Sequence, residues 1–116
     1  MSAPVTVTPP TPWPASIANG GSWNSGVMEL RGHGLITLAL TASQAVLITI
    51  QRCQDAAGAI PAGAAVTKTT SAGAPDDCEI NANSTPVAAG FFTVGVVNNS
   101  GTDATIANPS IVIQGR

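Results

Sequence analysis

The chain has 116 residues, which is enough for one domain with a single hydrophobic core. Only 9% of the residues are charged, against about 25% in an average globular domain, and the net charge is −2. Four scattered Lys and Arg residues offer no cationic cluster, so the composition excludes a nucleic-acid-binding protein. High hydrophobicity with low net charge also excludes intrinsic disorder of the whole chain.

Residues 1–21 are predicted to form an extended N-terminal arm. Five prolines between positions 4 and 14 exclude a helix and favour extended or polyproline conformation. Val5 and Val7 alternate with threonines, a pattern that can add one strand to the edge of a sheet. Trp13 stands between two prolines, a setting typical of an aromatic anchor on another protein surface. The alternative is a disordered leader.

We therefore predict that the arm binds a partner. The residues expected to carry this contact are Val5, Val7, Pro9, Pro10 and Trp13. The partner would be a second copy of the chain or a subunit of a larger assembly, and the remaining domain would fold without residues 2–14.

Residues 22–116 are predicted to form the folded domain. Its first strand covers residues 22–31, with Met28 and Leu30 directed inward. The longest apolar run, residues 34–52, alternates with a period of two and is rich in β-branched residues. We predict two antiparallel strands joined by a short connection, together forming the centre of a sheet. Thr, Ser and Gln in this run argue against a membrane span, and its Thr, Ile and Val content argues against a helix.

Five further strands are predicted downstream, at residues 64–70, 78–81, 91–98, 104–107 and 110–114. Turn-forming Gly, Pro and Asn residues separate them. Seven or eight short strands without a helix indicate an all-β antiparallel β-sandwich with Greek-key or jelly-roll connectivity. A closed barrel is the alternative. The predicted core consists of Leu38, Leu40, Ile48, Ile50, Phe92, Val94, Ile111 and Ile113.

No residues in the sequence form a recognisable catalytic or metal-binding motif. His33 lies between two glycines in a predicted turn, and no nucleophile motif accompanies it. Asp76, Asp77 and Glu79 could offer oxygen ligands to calcium, but they lack the spacing of a known loop. We therefore expect neither enzymatic activity nor a cofactor.

Two further features bear on the compartment. The N-terminus lacks the basic start and apolar core of a secretory signal, so we expect synthesis in the cytoplasm and reduced thiols at Cys53 and Cys78. Without a signal, the glycosylation sequons at Asn83 and Asn98 are interpreted as turn residues.

The full-length pattern resembles the small structural proteins of tailed bacteriophages, in particular capsid decoration (cement) proteins. It combines a Pro/Thr/Val arm ending in SIANGGSW with a compact Ala/Thr/Gly-rich β domain that is almost free of charge. The resemblance implies a virion protein on the capsid surface, made in the host cytoplasm. It also implies a homotrimer that binds the major capsid protein through its arm, with no membrane or nucleic-acid partner. The alternatives are a tail, baseplate or head-fibre component and, from another class, a carbohydrate-binding or adhesin sandwich that uses Trp13 and Trp23 as a sugar platform.

Overall fold

A computed structural model of the protein describes residues 4–81 and 90–115. It contains ten strands and, within those residues, no helix. No helix of the described residues therefore has the length and hydropathy that crossing a membrane requires. The strands are β1 (Val5–Thr6), β2 (Ser16–Ile17), β3 (Ser22–Asn24), β4 (Met28–Glu29), β5 (Leu35–Ala42), β6 (Leu47–Cys53), β7 (Val66–Thr69), β8 (Pro75–Asn81), β9 (Phe91–Val97) and β10 (Ala104–Gln114).

The strands form two antiparallel sheets that pack face to face, as the sequence predicted. In the first sheet β10 pairs with β1 and β2 on one side and with β5 on the other, and β8 lies beyond β5. In the second sheet β9 pairs with β3 and β4 on one side and with β6 on the other, and β7 lies beyond β6. The chain changes sheet after β2, β4, β5, β7, β8 and β9, which is the connectivity of a jelly roll.

The prediction that residues 34–52 form one hairpin was wrong. Both strands alternate as expected, but β5 pairs with β10 and β8, while β6 pairs with β9 and β7. The short connection crosses from one sheet to the other. Period-two alternation indicates which face of a strand is buried. It does not indicate whether the next strand in sequence lies in the same sheet or in the facing sheet.

The core lies between the two sheets, where the inward side chains of both interdigitate. All eight residues predicted to form it are at most 2% exposed, so this prediction is confirmed. Met28 and Leu30 are also buried, while Glu29 and Arg31 point to solvent. Trp23 closes one part of the core and is 8% exposed.

Three predicted strand boundaries were clearly wrong. β8 starts at Pro75, three residues before the predicted start at residue 78, because residues 75–77 also pair with β5. The segment 22–31 is divided into β3 and β4, because the buried Ser25 turns the chain. Its hydroxyl accepts a hydrogen bond from the Val94 N–H at 2.9 Å and donates to the Gly26 carbonyl at 2.7 Å. Conversely, β10 continues through Asn108 and Pro109 with a register shift, and Asn108 takes a φ of 50° there. The expected interruption is therefore a β-bulge, which suits Asn because this residue tolerates positive φ.

Candidate protein-binding groove

The first part of the arm forms an edge strand on the chain's own first sheet. Val5 lies opposite Ile113, and Thr6 lies opposite Val112. The Val7 N–H continues the ladder by donating to the Ile111 carbonyl at 2.8 Å. The arm is therefore extended, as the prolines predict, and it is paired within the chain.

The proline-rich residues 8–14 then leave this edge and cross to the second sheet. The Thr11 N–H donates to the Ser25 carbonyl at 3.0 Å, next to β3. The chain returns to β10 at β2, where Ile17 is buried in the core. The crossing segment thus joins the edges of the two sheets on one side of the sandwich.

The two tryptophans meet where this segment crosses. The ring centroids of Trp13 and Trp23 are 3.9 Å apart, and the ring planes are inclined by 24°. The Trp23 indole N–H donates to the Pro12 carbonyl at 3.0 Å. Each indole covers a face of the other and Trp23 is buried, so the arrangement does not offer the open aromatic platform that binds a sugar by stacking.

These contacts argue against the expectation that the domain folds without residues 2–14. The arm supplies main-chain hydrogen bonds and apolar contacts to the domain itself, because Val7 and Trp13 pack against its core. Pro9 is buried, Val7 and Trp13 are half-buried, and Val5 and Pro10 remain exposed. The partner-binding role of these five residues stays a prediction.

A groove of about 370 Å³ lies between the arm and β4. Valines of the arm and of the segment before β4, together with Met28 and Ile113, form the apolar half of its lining. Threonines of the arm, with Glu29 and Arg31, form the polar half. We call it the arm groove; its lining residues are Val5, Thr6, Val7, Thr8, Pro10, Val27, Met28, Glu29, Arg31 and Ile113. The arm wall consists of residues that the sequence pattern singles out, whereas the β4 wall does not, since no local pattern brings residues 5–8 next to residues 27–31.

Both walls of the arm groove present open main-chain groups. Val7 is hydrogen-bonded to Ile111, so the pairing alternates and the N–H and C=O of Thr6 point away from β10. On the other wall the Leu30 N–H donates to the Gly90 carbonyl at 2.9 Å, so the peptide groups of Glu29 point away from β9. Two strand edges therefore face the same open side of the sandwich.

The opposite side of the sandwich, between β7 and β8, is rich in charge. Lys68 on β7 forms ion pairs with Asp76 and Asp77 on β8. The Lys68 side chain lowers the pKa of the Asp76 carboxyl, and a hydrogen bond from the Ser71 N–H at 3.0 Å acts in the same direction. Charged side chains protect an edge from pairing with another chain.

The other candidate residues do not assemble into a reaction centre. His33 lies in the turn after β4, and its N–H donates to the Leu30 carbonyl at 2.9 Å. Among residues 4–81 and 90–115, no three His, Cys, Asp or Glu side chains form a group that could hold a metal ion. Cys53 and Cys78 are buried free thiols, and burial raises the pKa of both.

The two sequons have different outcomes. The sequon at Asn83 lies outside the described residues. Asn98 is fully buried, and its side-chain amide donates to the carbonyls of Ile17 and Thr102, each at 2.8 Å. A buried amide with these two hydrogen bonds serves the turn rather than a glycan.

The sequence matches no protein-family model and no curated protein.

Proposed function

We propose that this protein is a non-enzymatic structural component of a bacteriophage virion, which decorates the capsid in many copies and stabilises it. The arm groove is the surface that meets neighbouring chains, either the major capsid protein or further copies in a homo-oligomer. The observation that carries the proposal is this groove, in which an uncharged arm and β4 leave two strand edges open above a lining that is part apolar and part polar.

The physical chemistry of the groove suits binding to a lattice. Main-chain pairing at a strand edge provides affinity with few demands on side-chain identity. Repetition over a lattice adds avidity without any single strong site. A protein that binds the assembled shell and not its dispersed subunits stabilises the shell by mass action.

The jelly-roll fold is used by viral capsid proteins and also by lectins, so the fold alone does not decide between them. The tryptophan pair favours the structural alternative. One face of each indole is in contact with the other indole, Trp23 is buried, and the Trp23 N–H donates to the Pro12 carbonyl.

Co-sedimentation with capsid shells that lack the protein tests the proposal. Val5→Asp places a charge in the arm groove, and Val66→Asp places the same charge on the opposite edge. The two valines are matched, since they are 38% and 36% exposed. We expect Val5→Asp to weaken shell binding about tenfold or more and Val66→Asp to leave it nearly unchanged, because a buried unpaired charge at an interface is costly. Equal shell binding by the wild-type protein and Val5→Asp would show that the arm groove does not bind the shell.

A further inference from the structure

We propose that the occupant of the arm groove side is a second copy of this chain, joined edge to edge about a two-fold axis. In this dimer β1 pairs antiparallel with β1 of the other copy, and β4 faces β4, so that each sheet continues across the contact. The inference rests on the proposed function only in that the groove side is a protein-binding surface. It selects one of the two partners that the proposal allows.

The main-chain geometry of β1 is self-complementary. A two-fold axis midway between the two β1 strands, at the level of Thr6, places Thr6 of one copy opposite Thr6 of the other. The two residues then form a hydrogen-bonded pair, because the N–H and C=O groups of Thr6 both point outward. In the same register Thr8 lies opposite Pro4. Pro4 can accept a hydrogen bond from the Thr8 N–H there, and its missing N–H is the only group lost.

The charges at the end of β4, with Glu29 on the strand and Arg31 in the turn that follows it, are also self-complementary. Within one chain the Arg31 Nε and the Glu29 Oε2 form an ion pair at 3.9 Å. The Glu29 and Arg31 side chains are 63% and 72% exposed, so both charged ends are also accessible to a second chain. An antiparallel contact centred near Leu30 places Glu29 of one copy against Arg31 of the other, twice over. Opposite charges on facing strands stabilise the pairing and fix its register.

The opposite edge of the sandwich lacks this property. Three of the six acidic residues of the chain, Asp76, Asp77 and Glu79, lie on β8, and the single Lys68 on β7 is already paired with two of them. A two-fold contact there would bring like charges together, which disfavours association. Of the two open sides formed by residues 4–81 and 90–115, the groove side is the one that suits a second copy.

Sedimentation equilibrium of the full chain and of five variants tests the dimer. Thr6→Pro removes the outward N–H and leaves the bonds of Val5 and Val7 to β10 in place, as edge strands allow. Its matched control is Thr67→Pro on β7, whose N–H also points outward because Thr70 donates to the Val46 carbonyl. Glu29→Arg and Arg31→Glu create like charges across the contact, and the double exchange restores opposite charges.

We expect a wild-type dimer, and we expect Thr6→Pro and each single charge reversal to raise the dimer dissociation constant about tenfold or more. Thr67→Pro and the double charge exchange should dimerise like the wild type. Circular dichroism of each variant verifies that the sandwich is intact. A wild-type monomer, a trimer, or a dimer that is indifferent to these changes would overturn the inference.

Shell binding separates this result from the function. A monomer that co-sediments with capsids refutes the dimer and leaves the proposed function standing. A dimer that responds to the charge exchange but never binds a shell supports the contact and refutes the function.

Discussion

Replacing Trp13 by Ala tests whether the arm is an integral part of the fold. The Trp13 ring is half-buried, and its centroid lies 3.9 Å from that of Trp23. Truncating a fully buried Trp to Ala costs about 3–5 kcal/mol, and a half-buried ring loses roughly half of that. The stacking contact adds about 0.5–1.5 kcal/mol. We therefore expect the free energy of unfolding to fall by about 2–4 kcal/mol.

Urea unfolding followed by far-UV circular dichroism measures this loss, since a fluorescence signal would change with the deleted indole. In a domain of this size the same loss lowers Tm by about 8–16 °C. Thr11→Ala is the matched control, because Thr11 is exposed and contributes its main-chain N–H to the Ser25 carbonyl, which Ala retains. The control should change stability by less than about 0.5 kcal/mol.

An unchanged stability of Trp13→Ala would contradict the docking of the arm on its own sandwich. The chain without residues 2–14 provides a second measurement. It should be at least as unstable as Trp13→Ala, because it also loses β1 and the Thr11 hydrogen bond.

Three further predictions concern the core, the thiols and the charged edge. Ile48→Ala should lower the free energy of unfolding by about 2–5 kcal/mol in urea, since Ile48 is fully buried; a loss below about 1 kcal/mol would contradict its place in the core. Cys53 and Cys78 should react slowly with a thiol reagent in the native protein, because both are buried with a raised pKa, and completely after denaturation without reductant; no labelling of the denatured chain would reveal a disulfide. Lys68 lowers the pKa of Asp76, so the stabilisation by this carboxylate is complete above the unfolded pKa and is lost as the pH falls below about 4. Asp76→Asn should therefore show a smaller loss of Tm on acidification than the wild type, and an identical pH profile would show that the pair does not contribute.

The sequence predicted burial better than it predicted pairing. Alternation placed Leu38 and Ile48 in the core correctly, because a strand inside a sandwich must direct every second side chain away from water. The same alternation could not show that β5 and β6 belong to different sheets. That outcome depends on which distant strands compete for each edge: β10 begins 62 residues after β5 ends, and β9 begins 38 residues after β6 ends.

The candidate site was predictable on one side only. The extended arm follows from its prolines and its Val/Thr alternation, which act locally. Its docking depends on contacts between distant parts of the sequence, such as Val5 with Ile113 and Trp13 with Trp23. No local pattern marks β4 as the facing wall. The structure adds that Glu29 and Arg31 are exposed there, beside the buried Met28 and Leu30.

The central claim is that this protein is a structural part of a virion. Quantitative mass spectrometry of purified virus particles from the source of the sequence tests it most directly. We predict that the chain is recovered with the particles in a fixed, high ratio to the major capsid protein, and that this ratio is unchanged after repeated density-gradient purification. Particles that lack the chain, with all of it left in the soluble fraction of the host, would contradict the claim.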